Sequence, residues 1–253
     1  MNTIKVNIKD RLAIITLNRG KSNALNREMI TELNDMFNNI AADNNIGGVM
    51  ITGQEKFFSA GLDLMELYHY DTAEVKSFWE LFFKFAATIT AFKKPLVAAI
   101  NGHSPAGGCV IALACDARVM AEGKFIIGLN EVPVGIIVPN SIFQVYAHWI
   151  GKANATRSLL EGKLFSPEEA LQIGLVDELV NADSILTAAE RRVRKYMAFE
   201  SNTWQQSKLN IRKELIDATT ADHSEVLSLM LEQWWSPNTR NILETIISNL
   251  QKK

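Results

Sequence analysis

The feature that most constrains the fold is a repeated order of segments in the first 180 residues. Short apolar runs occur at 12–17, 46–52 and 94–100. Each run is followed by a glycine-containing loop and then by a stretch whose apolar residues recur at helical spacing, as in 27–43. Fully apolar strands alternating with helices are typical of a buried, partly parallel sheet. The sequence therefore predicts an α/β fold.

The pattern changes towards the C-terminus. From Ser184 onwards no segment has the composition of a strand, and the apolar spacing predicts three helices, at 184–199, 203–217 and 222–251. We therefore predict two parts. Residues 1–197 form the core that holds a ligand site, and residues 198–253 form a C-terminal helical region.

Composition excludes several classes of protein. The chain has 26 Lys and Arg against 28 Asp and Glu, a net charge of −2, which argues against a nucleic-acid partner. Its longest apolar runs, such as 109–115, are far shorter than the roughly 18 residues of a membrane helix. The N-terminus predicts a strand and has no features of a targeting peptide. We expect a cytoplasmic protein with no membrane partner.

Side chains that could hold a metal are scattered. The four histidines show no ligand spacing, so no metal site is predicted. Cys109 and Cys115 lie in one apolar stretch and are expected to be core thiols. Gly102–Ala106 nearly matches the G-x-S-x-G motif of serine hydrolases, but Pro105 has no N–H for an oxyanion hole, so that chemistry is not expected.

Two glycine-containing loops follow buried strands, where α/β folds place ligands. They are 58–63 (FSAGLD) and 101–108 (NGHSPAGG). Gly107 lies in the first turn of the next helix, so its N–H lacks an intrahelical acceptor. Together with an N–H of the first loop it could form an oxyanion hole. The alternative is that these glycines only allow tight turns and close packing, and the spacing alone does not decide.

A candidate acid/base lies in the segment 125–137. This segment is almost wholly apolar, with Asn130 and Glu131 in its middle. A carboxyl group surrounded by Ile, Leu and Val is desolvated, which raises its pKa towards the range useful for proton transfer. The alternative is a Glu on a surface turn, which needs no functional reason.

Taken together, these segments resemble the crotonase, or enoyl-CoA hydratase/isomerase, superfamily. The resemblance spans essentially the whole chain. It implies a spiral of ββα units with C-terminal helices that build homotrimers, often paired into hexamers. It also implies an acyl-CoA thioester substrate, with coenzyme A as part of the substrate and no other cofactor. The matching motifs are LNR at 17–19 with NAL at 23–25, FSAGLD at 58–63, KPLVAAING at 94–102, AGGC at 106–109 with CD at 115–116, and SPEEALQIGLV at 166–176.

The resemblance also implies roles for individual residues. The backbone N–H groups of Leu62 and Gly107 would hold a thioester enolate. Glu131 would be the catalytic acid/base. The residues expected to bind substrate are Ala24, Ala60, Gly61, Leu62, Asp63, Leu64, Gly107 and Asn130.

The carboxylates distinguish subfamilies. Hydratases of this superfamily have two Glu at the site, whereas here the first position is Val110 and the second is Glu131. The runs PAGGC at 105–109 and IGLNE at 127–131 are most similar to mitochondrial-type Δ3,Δ2-enoyl-CoA isomerases. The resemblance therefore implies a 1,3-proton shift from 3-enoyl-CoA to trans-2-enoyl-CoA, in β-oxidation of unsaturated fatty acids.

Two alternatives remain open. A hydratase or decarboxylase-like crotonase could act on a different acyl-CoA, since one carboxylate and an oxyanion hole can serve other reactions. A non-enzymatic acyl-CoA-binding module could keep the cleft without the chemistry, although the retained Glu131 argues against it.

Overall fold

The computed structural model describes residues 1–251 and shows a mixed α/β fold, as the sequence predicts. Its strands are β1 Ile4–Lys9, β2 Leu12–Leu17, β3 Gly48–Thr52, β4 Leu96–Ile100, β5 Ser104–Pro105, β6 Ala117–Ala121, β7 Ile127–Gly128 and β8 Glu178–Val180. Its helices are α1 Arg27–Ala42, α2 Leu64–Leu67, α3 Thr72–Thr90, α4 Gly107–Ala114, α5 Asn140–Ile150, α6 Lys152–Glu161, α7 Pro167–Gln172, α8 Ile185–Met197, α9 Ser201–Ile211, α10 Lys213–Thr220, α11 Ser224–Trp234 and α12 Pro237–Gln251.

The main sheet has six strands in the order β1-β2-β3-β4-β6-β8. β1 and β2 form an antiparallel hairpin, and the other neighbours pair in parallel. β3, β4 and β6 are buried along their whole length, because helices cover both faces of the sheet. The continuous apolar runs in the sequence have this physical cause.

A second, two-stranded sheet positions the candidate site. β5 pairs in parallel with β7, with Ser104 opposite Ile127 and Pro105 opposite Gly128. This pairing joins the loop after β4 to the segment that precedes Glu131. Two stretches that are 23 residues apart in sequence are thereby held side by side.

The C-terminal region differs in detail from the prediction. The expected helix 203–217 is divided at Arg212, and the expected helix 222–251 is divided before Pro237, so five helices from α8 to α12 occupy the region predicted to hold three. Pro237 begins α12, because its ring cannot continue a preceding helix but suits the first position of a new one. α8 ends at Met197, and the division of the chain at this point into a core and a C-terminal region stays a prediction. Lys252 and Lys253, the end of the predicted C-terminal region, lie outside the described residues.

Buried charges tie α9 to the core. The Lys208 Nζ lies 2.8 Å from the Asp116 Oδ2 and donates to the Lys94 carbonyl at 3.0 Å. The Arg212 Nη2 lies 3.1 Å from the other Asp116 oxygen. Its Nη1 donates to the carbonyl of Ala114, the last residue of α4, at 2.6 Å. The side chain of Arg212, the residue between α9 and α10, is thereby held in the core. Burial lowers the pKa of Lys208 to about 8.

No helix within residues 1–251 is both long enough and apolar enough to cross a membrane. Cys109 and Cys115 are buried free thiols, which confirms the prediction that they belong to the core.

The buried Asp116 should be essential for stability. Asp116→Asn leaves the Lys208 and Arg212 cations buried without a counter-charge, so we expect the free energy of unfolding to fall by about 3 kcal/mol. Urea unfolding at a fixed protein concentration measures it. The matched control is Asp217→Asn, which breaks an exposed pair with Lys213 and should change stability by less than about 0.5 kcal/mol. Equal effects of the two variants would contradict the structural role of Asp116.

Candidate active site

The loop before α2 aims the Leu62 N–H into the site. The Leu25 N–H donates to the Gly61 carbonyl at 2.7 Å, and the Asp63 N–H donates to the Leu25 carbonyl at 2.9 Å. These bonds form a parallel bridge between Leu25 and Leu62. The flanking residues make the bridge's hydrogen bonds, so the N–H of Leu62 points away from Leu25. No acceptor for this N–H is found within residues 1–251.

The second loop presents the N–H of Gly107, the first residue of α4. As expected for a first-turn residue, this N–H has no acceptor within the described chain. Ala106, immediately before it, has φ 48° and ψ −121°, a sparsely populated conformation for a residue with a Cβ. The Ala106 N–H donates to the Gly128 carbonyl of β7 at 2.8 Å, which helps to hold this turn in place.

The two loops are in close contact at Gly61. A Cβ built on Gly61 would lie 2.9 Å from the Ala106 Cβ and 3.1 Å from the Gly107 nitrogen, and Gly61 has φ +87°. Only glycine fits this position without displacing one of the loops. The N–H groups of Leu62 and Gly107 are therefore neighbours, at the positive end of the α4 dipole, where negative charge is stabilised.

Buried polar side chains fix the first loop. Asn23, fully buried with φ +49°, accepts from the Arg19 N–H at 3.0 Å and donates to the carbonyls of Phe57 and Phe58 at 3.1 and 3.2 Å. The Asp63 carboxylate pairs with the Arg19 guanidinium at 2.7 Å and caps α2. Asp63, which the resemblance places among the substrate-binding residues, thus uses its side chain to hold the loop.

Glu131 lies between β7 and a 3₁₀ turn at Val132–Val134. Its carbonyl accepts from the N–H groups of Val134 and Ile136 at 3.1 and 3.0 Å, which winds the chain tightly after it. Its carboxyl oxygen Oε2 is buried and has no hydrogen-bond partner among the described residues. Burial raises the pKa of Glu131 to about 7, a value suited to both accepting and donating a proton near neutral pH.

Glu131, Leu62 and Gly107 line one small cavity of about 30 Å³. Glu131 is the only ionisable side chain among the residues that line it. Val110 of α4 forms part of the wall, so the position at which the resemblance implies a second Glu in hydratases is apolar here. The remaining walls are Trp79, Phe82, Ile142 and the segment 136–139.

Four other residues expected to bind substrate lie outside this cavity. Ala24 and Ala60 are half-buried on the first loop, where the Ala24 carbonyl accepts from Arg19 and the Ala60 N–H donates to Ser22. Leu64 begins α2, and Asn130 lies against Gly162. Their contacts with substrate stay predictions.

Sequence reasoning missed part of the cavity wall. The missed residues are Trp79 and Phe82 of α3 and Ile142 of α5. Each belongs to the apolar pattern of its own helix, so the sequence does not distinguish it from a core residue. The unusual backbone of Ala106 also has no counterpart in the sequence, since alanine is not a residue that favours positive φ.

The family profile described as enoyl-CoA hydratase/isomerase matches residues 7–244. This chain belongs to the enoyl-CoA hydratase/isomerase family. Mouse (Mus musculus) mitochondrial enoyl-CoA delta isomerase 1 is 38% identical over 208 residues, 81% of this chain and 72% of that protein. A probable mitochondrial enoyl-CoA hydratase of Dictyostelium discoideum is 32% identical over 209 residues, which are 79% of this chain and 72% of that protein.

A solved structure leads to the same family. The crystal structure of human mitochondrial delta3-delta2-enoyl-CoA isomerase superposes on this chain with a TM-score of 0.95 and 29% sequence identity. The superposition covers 99% of this chain and 98% of the human chain. The predicted crotonase fold and the predicted likeness to mitochondrial-type isomerases are confirmed. Because the relatives include both isomerases and hydratases, membership of the enoyl-CoA hydratase/isomerase family alone does not choose between the two reactions.

The buried Glu131 should make the stability of this family member depend on pH. Below about pH 4.5 the carboxyl is protonated in both the folded and the unfolded chain. Between its ordinary pKa of 4.5 and about 7 only the unfolded chain loses the proton, so the free energy of unfolding falls as the pH rises. We expect Glu131→Gln to be more stable than the unmodified protein at pH 8, by on the order of 1–3 kcal/mol, and nearly equal to it at pH 4.

Urea unfolding at the two pH values measures this difference. Glu122→Gln, at an exposed position, is the matched control and should show no such pH dependence. A Glu131→Gln variant that is less stable at pH 8 would show that the carboxyl group has a compensating partner.

Proposed function

We propose that this enzyme converts 3-enoyl-CoA into trans-2-enoyl-CoA in the β-oxidation of unsaturated fatty acids. The observation that carries the proposal is a single buried carboxyl group, Glu131, in an apolar cavity that it shares with Leu62 and Gly107. The likeness to the mouse and human isomerases supports the same reaction.

The two main-chain donors would bind the thioester oxygen. Removal of a proton from C2 places negative charge on that oxygen, and the N–H groups of Leu62 and Gly107 are free to hydrogen-bond to it. Because they are fixed by the surrounding loops, they need not reorganise as the charge develops. A donor of this kind typically contributes about 10²–10³-fold in rate.

Glu131 would move the proton. Its carboxylate takes a proton from C2, and the electrons of the broken C–H bond form a dienolate that extends over the former C3–C4 double bond. The protonated carboxyl then returns the proton to C4, which leaves the double bond between C2 and C3. One group acts first as base and then as acid, and its pKa near 7 suits both steps.

The hydratase reaction is the second candidate, because a hydratase is among the similar proteins. Hydration requires a water molecule held and activated at the reacting carbons. The cavity offers one carboxyl group, and Val110 and Ile142 give it apolar walls. The wall chemistry therefore favours isomerisation over hydration.

The remaining features of the proposal follow from the reaction and the family resemblance. A proton shift is redox-neutral and Glu131 supplies the acid and base, so the proposal needs no cofactor beyond the coenzyme A of the substrate.

We propose a homotrimer or hexamer in the cytoplasm. Exposed apolar residues on the C-terminal helices, such as Ile211 and Leu229, are consistent with contacts between subunits.

Parallel assays with 3-hexenoyl-CoA and crotonyl-CoA test the reaction. We expect isomerisation of 3-hexenoyl-CoA to be much faster than hydration of crotonyl-CoA. Glu131→Gln should lose at least about 10³-fold in isomerase kcat, because the amide can neither take nor return the proton. In the unmodified enzyme kcat/KM should fall as the pH drops below about 7, where Glu131 becomes protonated.

The exposed Glu122→Gln variant is the control and should keep the unmodified rate. Faster hydration than isomerisation, or an active Glu131→Gln variant, would contradict the proposal.

A further inference from the structure

A buried tyrosine lies behind the wall of the candidate active site. Tyr146 of α5 is fully buried, and its hydroxyl group has no hydrogen-bond partner among residues 1–251. Buried hydroxyl groups are usually hydrogen-bonded, because an unpaired one has lost its contacts with water and gained none in return. A hydroxyl group left free at such a cost indicates a role other than packing.

The position of Tyr146 on α5 places it between the catalytic cavity and α4. Ile142, one turn earlier on the same face of the helix, lines the cavity that holds Glu131. Trp149, one turn later, donates from its Nε1 to the Leu113 carbonyl of α4 at 2.8 Å. Because α4 and α5 are in contact along this face, the ring of Tyr146 packs in the space between them.

Three buried polar groups meet in this space. Burial, and after it the Cys109 thiol of α4 and the Glu131 carboxyl, raise the pKa of Tyr146. Burial and Glu131 likewise raise the pKa of Cys109, and the nearby backbone N–H of Gly128 opposes this rise. Since the Tyr146 hydroxyl keeps its proton at every pH at which the enzyme works, it is a hydrogen-bond donor and not a second acid or base.

The Glu131 carboxylate has no charged partner. Burial raises its pKa, a hydrogen bond from its own backbone N–H opposes this rise, and no charged side chain within residues 1–251 contributes. Nearby, Asp63 is paired with Arg19, and Arg240 of α12 lies over the ring of Tyr68. The other titratable side chains of the surrounding helices are exposed: Glu74, Lys76, Glu80 and Lys84 of α3, His148 of α5, Lys152, Arg157 and Glu161 of α6, and Glu244 of α12.

We infer that the Tyr146 hydroxyl stabilises the ionised form of Glu131 and thereby keeps this residue a base near neutral pH. Of the two uncharged donors near the carboxylate, the O–H of Tyr146 is stronger than the S–H of Cys109. Its hydrogen can rotate towards the charge, and in apolar surroundings the attraction extends beyond the distance of a direct hydrogen bond. Tyr146 acts through Glu131, so it is a positioning residue. This inference rests on the proposed function, because it concerns the base of the same reaction.

Tyr146→Phe removes the hydroxyl group and keeps the ring. Because this hydroxyl has no partner, its removal should not destabilise the fold. It should raise the pKa of Glu131, so that the fall in kcat/KM for 3-hexenoyl-CoA begins at a pH higher by at least about 0.5. At pH 6 kcat/KM should then be lower by at least about threefold, whereas at pH 9, where Glu131 is ionised in both proteins, it should stay within about twofold.

Tyr196→Phe is the matched control. Tyr196 of α8 is also partly buried, but the charged groups that act on it include Arg192 and Asp177 and not Glu131. Its removal should therefore leave the pH profile unchanged. An unchanged profile in Tyr146→Phe, or losses of equal size at pH 6 and pH 9, would show that the hydroxyl has a structural role alone and would overturn the inference.

An NMR titration separates this inference from the proposed function. If the unmodified protein does not isomerise 3-hexenoyl-CoA, the proposed function is wrong, yet the carboxyl group of Glu131 can still be titrated. Its ¹³C signal in glutamate-labelled protein is assigned by its absence in Glu131→Gln. A pKa of Glu131 that is higher by at least about 0.5 in Tyr146→Phe, and unchanged in Tyr196→Phe, supports the inference. A pKa that Tyr146→Phe leaves unchanged or lowers contradicts it.

Discussion

The contact between Gly61 and the Ala106–Gly107 turn is the constraint on which the candidate site depends. The N–H groups of Leu62 and Gly107 are neighbours only because the two loops approach so closely that a Cβ at position 61 would collide. The pairing of β5 with β7 holds the second loop, and the buried Asn23 holds the first. The main sheet, whose strand ends carry both loops, therefore serves the site by fixing their separation.

The site combines features that are each unfavourable for folding. Glu131 has a buried carboxyl oxygen without a partner, Ala106 has a strained backbone, and two main-chain N–H groups lack acceptors. Together they cost several kcal/mol, which the large buried core offsets. A ligand with an oxygen acceptor and an apolar chain would satisfy the free donors and fill the cavity, so the same features that weaken the fold favour acyl thioester binding.

Much of the fold was predictable because burial on both faces of the sheet leaves continuous apolar runs in the sequence. In the candidate site, the desolvation of Glu131 was predictable from its apolar neighbours, and the two glycine loops were recognisable through their family resemblance. The division of the C-terminal helices at Arg212 was not predictable, since the Arg212 side chain binds the carbonyls of Ala114 and Cys115, nearly a hundred residues away in the sequence. The cavity walls on α3 were missed for a related reason: a core residue and a cavity residue have the same apolar character.

In the proposed mechanism one carboxyl group in an apolar cavity carries a hydrogen from C2 to C4. The most direct measurement follows deuterium in 3-hexenoyl-CoA labelled at C2 and converted in ordinary water. Because Glu131 is shielded from solvent, a fraction of the trans-2-hexenoyl-CoA product should carry deuterium at C4. Product with only solvent hydrogen at C4, even at the earliest times, would show that water or a second group delivers the proton and would contradict the single-carboxyl mechanism.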